Sequence, residues 1–303
     1  MDKMVSVVIP VYNAGNYIIE SIESVFDQDY KNIQIVVVND GSTDDSLSKI
    51  ENTFADRIKI INIDNSGVSN ARNVGILNSD GDYIAFLDAD DFWVKDKISC
   101  QIASFEMNER FGVSYTSRYI ITSDGNIIED KRKRFSGNIF NKILVRNFVC
   151  LSSVMVKKEC LEECGNFDTS LSVSEDYDLW IRISSRYNFV YVDKPMVYYR
   201  ITPGSLTKNT NKMIINAHHV FLKNTLDVKT VKSVKFFTYI MFYSDTFKTT
   251  GHVFFDSSNF ESAFNYFCLS FIIWPFRFET AVMIAKSLVK KVIVINTHKS
   301  LVD

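Results

Sequence analysis

Short β-branched runs alternate with segments of helical period through the first ninety residues, and few folds accommodate that order. Val5–Pro10 (VSVVIP), Ile33–Val38 (IQIVVV), Ile58–Ile63 (IKIINI) and Tyr83–Leu87 (YIAFL) read as buried parallel strands. Between them, Tyr17–Phe26 spaces Ile18, Ile22 and Val25 along one helix face, and Gly67–Leu77 reads as another helix. A further helix is expected from about Thr43, with Ser42 or Thr43 as its N-cap. This alternation implies a doubly wound α/β sheet with right-handed crossovers. Ligands gather at the carboxyl ends of the strands in such sheets. The polar clusters fall at those ends: Asn13 after the first strand, Asp40 after the second, and Asp88–Asp91 after the fourth.

The remaining chain changes character twice. From about Phe105 to Leu206 the pattern loosens into an α+β region, and from Leu226 onward it is helix-like, with 16 of the 41 aromatic residues. TKNTNK, Thr207–Lys212, reads as a polar linker near 207–226. Two domains are therefore expected: 1–225, composed of halves 1–104 and 105–225, and a helical segment 226–303. A net charge of -2 gives no pull toward nucleic acid. The stretch Phe264–Phe276 is interrupted by Asn265, Ser270 and Pro275, and falls short of the ~20 apolar residues that span a bilayer. With no signal-peptide core at the start, a cytoplasmic protein is expected. Five cysteines, an odd number, do not suggest a disulfide framework.

Four segments carry candidate chemistry. In FLDADD, Phe86–Asp91, a strand ends in three carboxylates within four residues. Like charges that close repel unless a cation joins them, and hard oxygen ligands favour Mg²⁺ or Mn²⁺. The plainer reading is a solvated acidic turn. In NDGSTDDS, Asn39–Ser46, a strand-turn-helix cap explains Gly41–Asp44 but leaves Asp40 as a ligand contact. In NSGVSNARNVG, Asn65–Gly75, Arg72 either balances the carboxylates, grips a phosphate or makes a structural ion pair. In SEDYDLWIR, Ser174–Arg182, three acids open an amphipathic helix, where the helix dipole favours them and where one could act as a general base.

Other nucleotide-binding classes lack their signatures. The turn after the first strand reads PVYNAGN, no G-x-G occurs in the chain, and there is no G-x-x-x-x-G-K-[ST] loop. A nucleotidyltransferase would carry a basic, glycine-rich loop there, and Val11–Gly15 holds no Lys or Arg. That class and a non-catalytic nucleotide-sugar-binding protein are kept as alternatives.

In combination, SVVIPVYN (Ser6–Asn13), NDGSTDDS, SGVSNARN, GDYIAFLDADDFW (Gly81–Trp93), GNFD (Gly165–Asp168), EDYDLWIR and YYRITPGSLT (Tyr198–Thr207) resemble the family 2 glycosyltransferases, inverting enzymes of the GT-A fold. The resemblance covers about residues 5–207. It implies a GT-A nucleotide-binding sheet, an α+β acceptor region, and transfer of a sugar from a UDP- or dTDP-sugar to a glycan or lipid-linked glycan in bacterial surface polysaccharide assembly. It further implies that Pro10 and Tyr12 flank the nucleobase and that Asp40 accepts a hydrogen bond from it. Asp88 and Asp90 match the DxD pair that holds Mn²⁺ or Mg²⁺ on the diphosphate. Asp176 matches the base, and Arg72 and Arg200 would steady the nucleotide or its phosphates. Members often carry two aspartates where this chain has Asn39-Asp40.

The last 78 residues lie beyond the resemblance. They hold nine Lys and Arg against six Asp and Glu, with Trp274-Pro275-Phe276 and a cluster of Lys286, Lys290 and Lys291. Two readings stand: a helical appendage packed on the catalytic domain or on a second subunit of a homo-oligomer, or a peripheral surface on the inner membrane leaflet.

Overall fold

The computed structural model describes residues 3–202, 210–225 and 234–299. The chain forms two compact units, one of 1–140 with 148–205 and one of 141–147 with 206–303.

In the first unit, β1 (Val5–Val11), β2 (Ile33–Asp40), β3 (Lys59–Ile63) and β4 (Tyr83–Phe86) are parallel, in the order β3-β2-β1-β4. The connecting helices are α1 (Ile18–Phe26), α2 (Ser46–Phe54) and α3 (Val68–Leu77). Every residue of β1 is buried, as a central parallel strand requires. Val5, Val7, Ile9 and Val11 join Ile18, Ile22, Ile50 and Phe54 in a core on one face. Val36 and Val38 meet Ala71 of α3 on the other. Pro10 lacks an N–H to donate, and β1 tolerates it because β4 pairs only as far as Val8.

The sheet then turns mixed. It continues through β8 (Met155–Lys157), β6 (Phe111–Ile121), β9 (Asn188–Arg200) and β5 (Phe92–Trp93), with β7 (Ile127–Glu129) beside β6. Its helices are α4 (Lys97–Glu106), α6 (Lys158–Cys164) and α7 (Glu175–Ser184), whereas α5 (Phe140–Ile143) falls in the second unit from Asn141 on. The architecture is the expected α/β class. The N-cap expected at Ser42 or Thr43 is replaced by a longer-range arrangement. Asn13 at the end of β1 accepts the amide hydrogens of Thr43 and Asp44, at 2.8 and 3.3 Å, and α2 begins only at Ser46.

The second unit contains α8 (Thr210–Thr225), α9 (Phe236–Asp256), α10 (Phe260–Ile273) and α11 (Phe278–Lys299). Half of the expected linker is thus helical, because Val220 and Phe221 have an apolar surface to bury, with the Phe221 ring stacked on Phe242. Residues 207–209 and 226 lie outside the described residues. Asn259 caps α10 by accepting from the Ser262 amide at 3.1 Å. Ser244 and Ser270 exchange hydroxyl–carbonyl hydrogen bonds between α9 and α10, and Gly251 lets the Phe267 ring approach closely. Among the described residues, no helix is long and apolar enough to cross a membrane.

Candidate active site

The acidic turn after β4 gives its three aspartates different surroundings. Asp91 is buried and fully engaged: one oxygen accepts from the Ser152 hydroxyl at 2.5 Å, the other from the Arg200 amide at 2.9 Å. Burial, then the charges of Asp88 and Asp90, push its carboxyl well above the ordinary range. Asp90 is half-buried and accepts from the Thr202 hydroxyl at 3.2 Å. Burial first and Asp88 second raise it to about 6. Asp88 gives one oxygen to Arg72 Nη2 at 2.7 Å, and its amide donates to the Ser152 hydroxyl at 3.2 Å.

Arg72 is 4% exposed and bridges two elements. Its other terminal nitrogen donates to Glu175, the first residue of α7, at 2.6 Å. One guanidinium therefore joins the acidic turn to the helix start that carries Asp176, so α3 sets the separation of the two. Both Nη groups are committed to carboxylates, which is the structural ion-pair alternative for this residue.

The acids of α7 also differ. Asp178 is buried and accepts from Arg182 Nε at 2.9 Å, while the same guanidinium donates to the carbonyls of Cys164, Gly165 and Asn166. That network anchors the helix. Asp176 is half-buried, and one of its oxygens accepts from the Tyr177 amide at 2.7 Å. Ser174, immediately before α7, adopts a left-handed conformation with φ of 65°, which turns the chain into the helix.

Around the carboxyl ends of β1 and β2, Asp40 accepts from the Ser66 amide at 2.8 Å, the Ser66 hydroxyl at 3.2 Å and the Gly67 amide at 3.0 Å. Three of its roughly four lone-pair directions are thereby taken by the loop that leads into α3. Pro10 is buried within β1, whereas Tyr12, just beyond it, is exposed. Arg200 sends its side chain to Glu20 at 2.7 Å, between the rings of Tyr17 and Phe92, each 5.1 Å from the guanidinium. Of the segment expected to follow it, 203–207 lie outside the described residues.

Ser152, Thr202, Glu20 and Glu175 as the partner of Arg72 complete the site, and sequence reasoning did not single them out for these roles. Ser152 sits in a short 3-10 turn, Leu151–Ser153, with no local motif to mark it. Only the pairing of β4 with β8 brings it under the acidic turn.

Arg72 thus ties Asp88, in the turn that also holds Asp90 and Asp91, to Glu175, which precedes Asp176 in α7. Among the described residues no group of three or more His, Cys, Asp or Glu is arranged to hold a metal ion. Mg²⁺ and Mn²⁺ do not need one, since one or two carboxylates plus substrate phosphates suffice. Asp90 and the second oxygen of Asp88 are the carboxylates that could supply that donor set, and burial first, then the Asp88 charge, raises the Asp90 carboxyl. The residues fit a hard divalent ion.

The chain is similar to known glycosyltransferases. A family model described as Glycosyl transferase family 2 matches residues 6–165. A glycosyltransferase of Rickettsia felis is 40% identical over 208 residues, 68% of this chain and 34% of its own length. The chain thus spans about a third of the length of this relative and of those from Rickettsia conorii and Rickettsia bellii. An Escherichia coli UDP-Glc:alpha-D-GlcNAc-diphosphoundecaprenol beta-1,3-glucosyltransferase is 35% identical over 228 residues, covering 72% of this chain and 85% of that one. The fold is similar to that of a Pyrobaculum calidifontis mannosyltransferase solved with GDP-Man and Mn²⁺. The TM-score is 0.66 at 16% identity, over 95% of this chain and 80% of that one.

Proposed function

Because the chain belongs to glycosyl transferase family 2, we propose that it is an inverting, metal-dependent transferase. Its donor in this reading is a UDP- or dTDP-sugar, and its acceptor a hydroxyl of a glycan or lipid-linked glycan in bacterial surface polysaccharide assembly. The observation that carries the reading is the Arg72 bridge, which draws Asp88 and the start of α7 to the two ends of one guanidinium.

In this reading Tyr12 and Pro10 border the nucleobase. Asp40 braces the 64–67 loop and keeps its remaining lone pair for the base. Asp88 and Asp90 face the diphosphate. A divalent cation bound there neutralises the charge that grows on the leaving diphosphate. Asp176 takes the proton from the acceptor hydroxyl as that oxygen attacks the anomeric carbon from the face opposite the diphosphate. One displacement of that kind inverts the configuration. Arg72 acts as a positioning residue, holding Asp88 and Glu175 in place without touching phosphate. Arg200 sets the β9 end against the acidic turn through its backbone amide and against α1 through Glu20.

A two-domain division is retained as a proposal, with its expected boundary at 225/226 set beside the boundary at 205/206 that groups α8 with the helices that follow. Peripheral membrane contact by the helical unit also belongs to this reading. Its support is a chain of aromatics, exposed Phe236, Phe237 and Phe276 with half-buried Trp274 among them, which follow one another as Phe236, Phe237, Trp274 and Phe276 at ring separations of 6.1, 6.0 and 5.3 Å.

Saturation-transfer NMR with UDP-, dTDP- and GDP-sugars tests the donor assignment. We expect UDP- or dTDP-sugars to saturate in Mn²⁺ or Mg²⁺ and to lose most of the signal in excess chelator. Absence of saturation by every nucleotide sugar would sink the reading.

A further inference from the structure

Beside the acidic turn, three arginines converge on one carboxylate. Asp130, which follows β7, accepts from Arg118 Nε at 3.1 Å and from Arg132 Nε at 2.8 Å, and pairs with Arg134 Nη2 at 2.9 Å. Asp130 and Arg134 are each 3% exposed at the side chain and Arg118 is 16% exposed, while Arg132 is half in solvent at 51%. Two largely buried guanidiniums therefore share one buried carboxylate, and a third reaches it from the surface. Buried charges are normally matched, and here the balance is short by at least one negative charge. Among the described residues Asp130 is the only acid in ion pairs with these arginines. Arg118 also donates to the Cys150 sulfur at 3.2 Å, but burial holds that thiol above its ordinary pKa, so it supplies no counter-charge.

The cluster is rigid and well placed. Arg118 lies 4.2 Å over the Tyr199 ring and Arg134 lies 5.9 Å from the Tyr191 ring, which fixes two planes without using up their charge. Cys150 precedes the turn whose Ser152 hydroxyl touches Asp91 and the Asp88 amide. An anion held by Arg132 and its neighbours would thus lie on the β6–β9 side of the acidic turn, in the half read above as binding acceptor. Guanidinium forks match phosphate oxygens in pairs, more closely than lysine ammonium does.

We propose that Arg118, Arg132 and Arg134, arrayed on Asp130, form a subsite for a phosphate group carried by the acceptor. The subsite rests on the reading of this half as the acceptor side, but it binds its anion without donor, cation or turnover. Its test can therefore fail separately from the transferase reading.

Isothermal titration of the full chain in EDTA, with no nucleotide, uses three probes: inorganic phosphate, geranyl diphosphate and methyl glucuronide. We expect both phosphate probes to bind the wild type. Arg132→Gln, at an exposed position that leaves the fold intact by circular dichroism, should weaken them about tenfold or more. Lys131→Gln/Lys133→Gln, which removes two exposed charges in the same run, should weaken them less than Arg132→Gln does. Tighter binding of geranyl diphosphate than of inorganic phosphate would assign the phosphate to a lipid-linked acceptor, and equal binding to phosphate recognised by itself. No binding by the wild type, an unchanged affinity in Arg132→Gln, an equal loss in the lysine pair, or a preference for methyl glucuronide would each overturn the proposal.

Discussion

Asp88, Asp90 and Asp91 are chemically identical, and their neighbours give them three tasks. Asp91 braces, since both oxygens are spent on Ser152 and Arg200. Asp91→Ala should therefore lower stability by about 1–3 kcal/mol by orphaning a buried hydroxyl and a part-buried amide, read from urea unfolding. Asp90→Ala should leave unfolding nearly unchanged and abolish transfer, with Asp88→Ala retaining a trace. If Asp90→Ala turns over normally, or if the wild type does so in excess chelator, the metal reading fails. At α7, Asp176→Asn keeps the shape of the base and removes its basicity. We expect nucleotide binding to survive while kcat falls by roughly 10²–10⁴. A near-normal kcat would move the base elsewhere, although not readily to Glu175, whose carboxylate is held by Arg72.

At the scale of elements, the site depends on how closely α3 approaches β1. Gly75 makes that approach, and a Cβ built on it would lie 2.3 Å from the Val8 Cγ1 atom. Val8 sits in a central, fully buried strand and cannot yield cheaply. Gly75→Ala should cost about 1–3 kcal/mol through overpacking, although alanine is the better helix former. Arg72 lies three residues earlier on the same helix, so the displacement should also lower kcat. A variant that unfolds at the wild-type urea concentration would show that α3 has room to spare.

For the whole molecule, the open question is what covers the helical unit. Phe276 and Phe278 are 81% and 82% exposed, and Ile272 is 75% exposed. This apolar corner joins the start of α9 to the α10–α11 turn, whereas Lys291 pairs with Glu261 at the opposite end of α10. Fourteen residues of helix separate the two ends by about 20 Å. Lys291 is thus at the other end of α10 from the exposed aromatics. Aromatic insertion would carry most of the binding, with a smaller gain from charge. We expect co-sedimentation with anionic vesicles above that with neutral ones, sharp loss in Phe237→Ser/Phe276→Ser, and no binding after truncation near 226. Equal recovery with both vesicle types, or none with either, would favour packing against protein.

The sequence by itself determined the layered sheet, because β-branched runs and helical spacing are local properties that survive without any partner. Phe86–Asp91 and the acidic start of α7 were legible for the same reason, each being a run of charge at the end of a periodic segment. Tertiary structure decided what could not be local. It chose which aspartate is braced, because Ser152, Arg200 and Thr202 arrive from segments 61, 109 and 112 residues away. It turned Arg72 from one of several alternatives into the link between α3, the acidic turn and α7. It also brought Arg118 of β6 to the same Asp130 carboxylate that Arg132 and Arg134 reach from their own stretch of chain. Spacing along a chain fixes which face a side chain takes, but the partner across the fold fixes its charge state and its task.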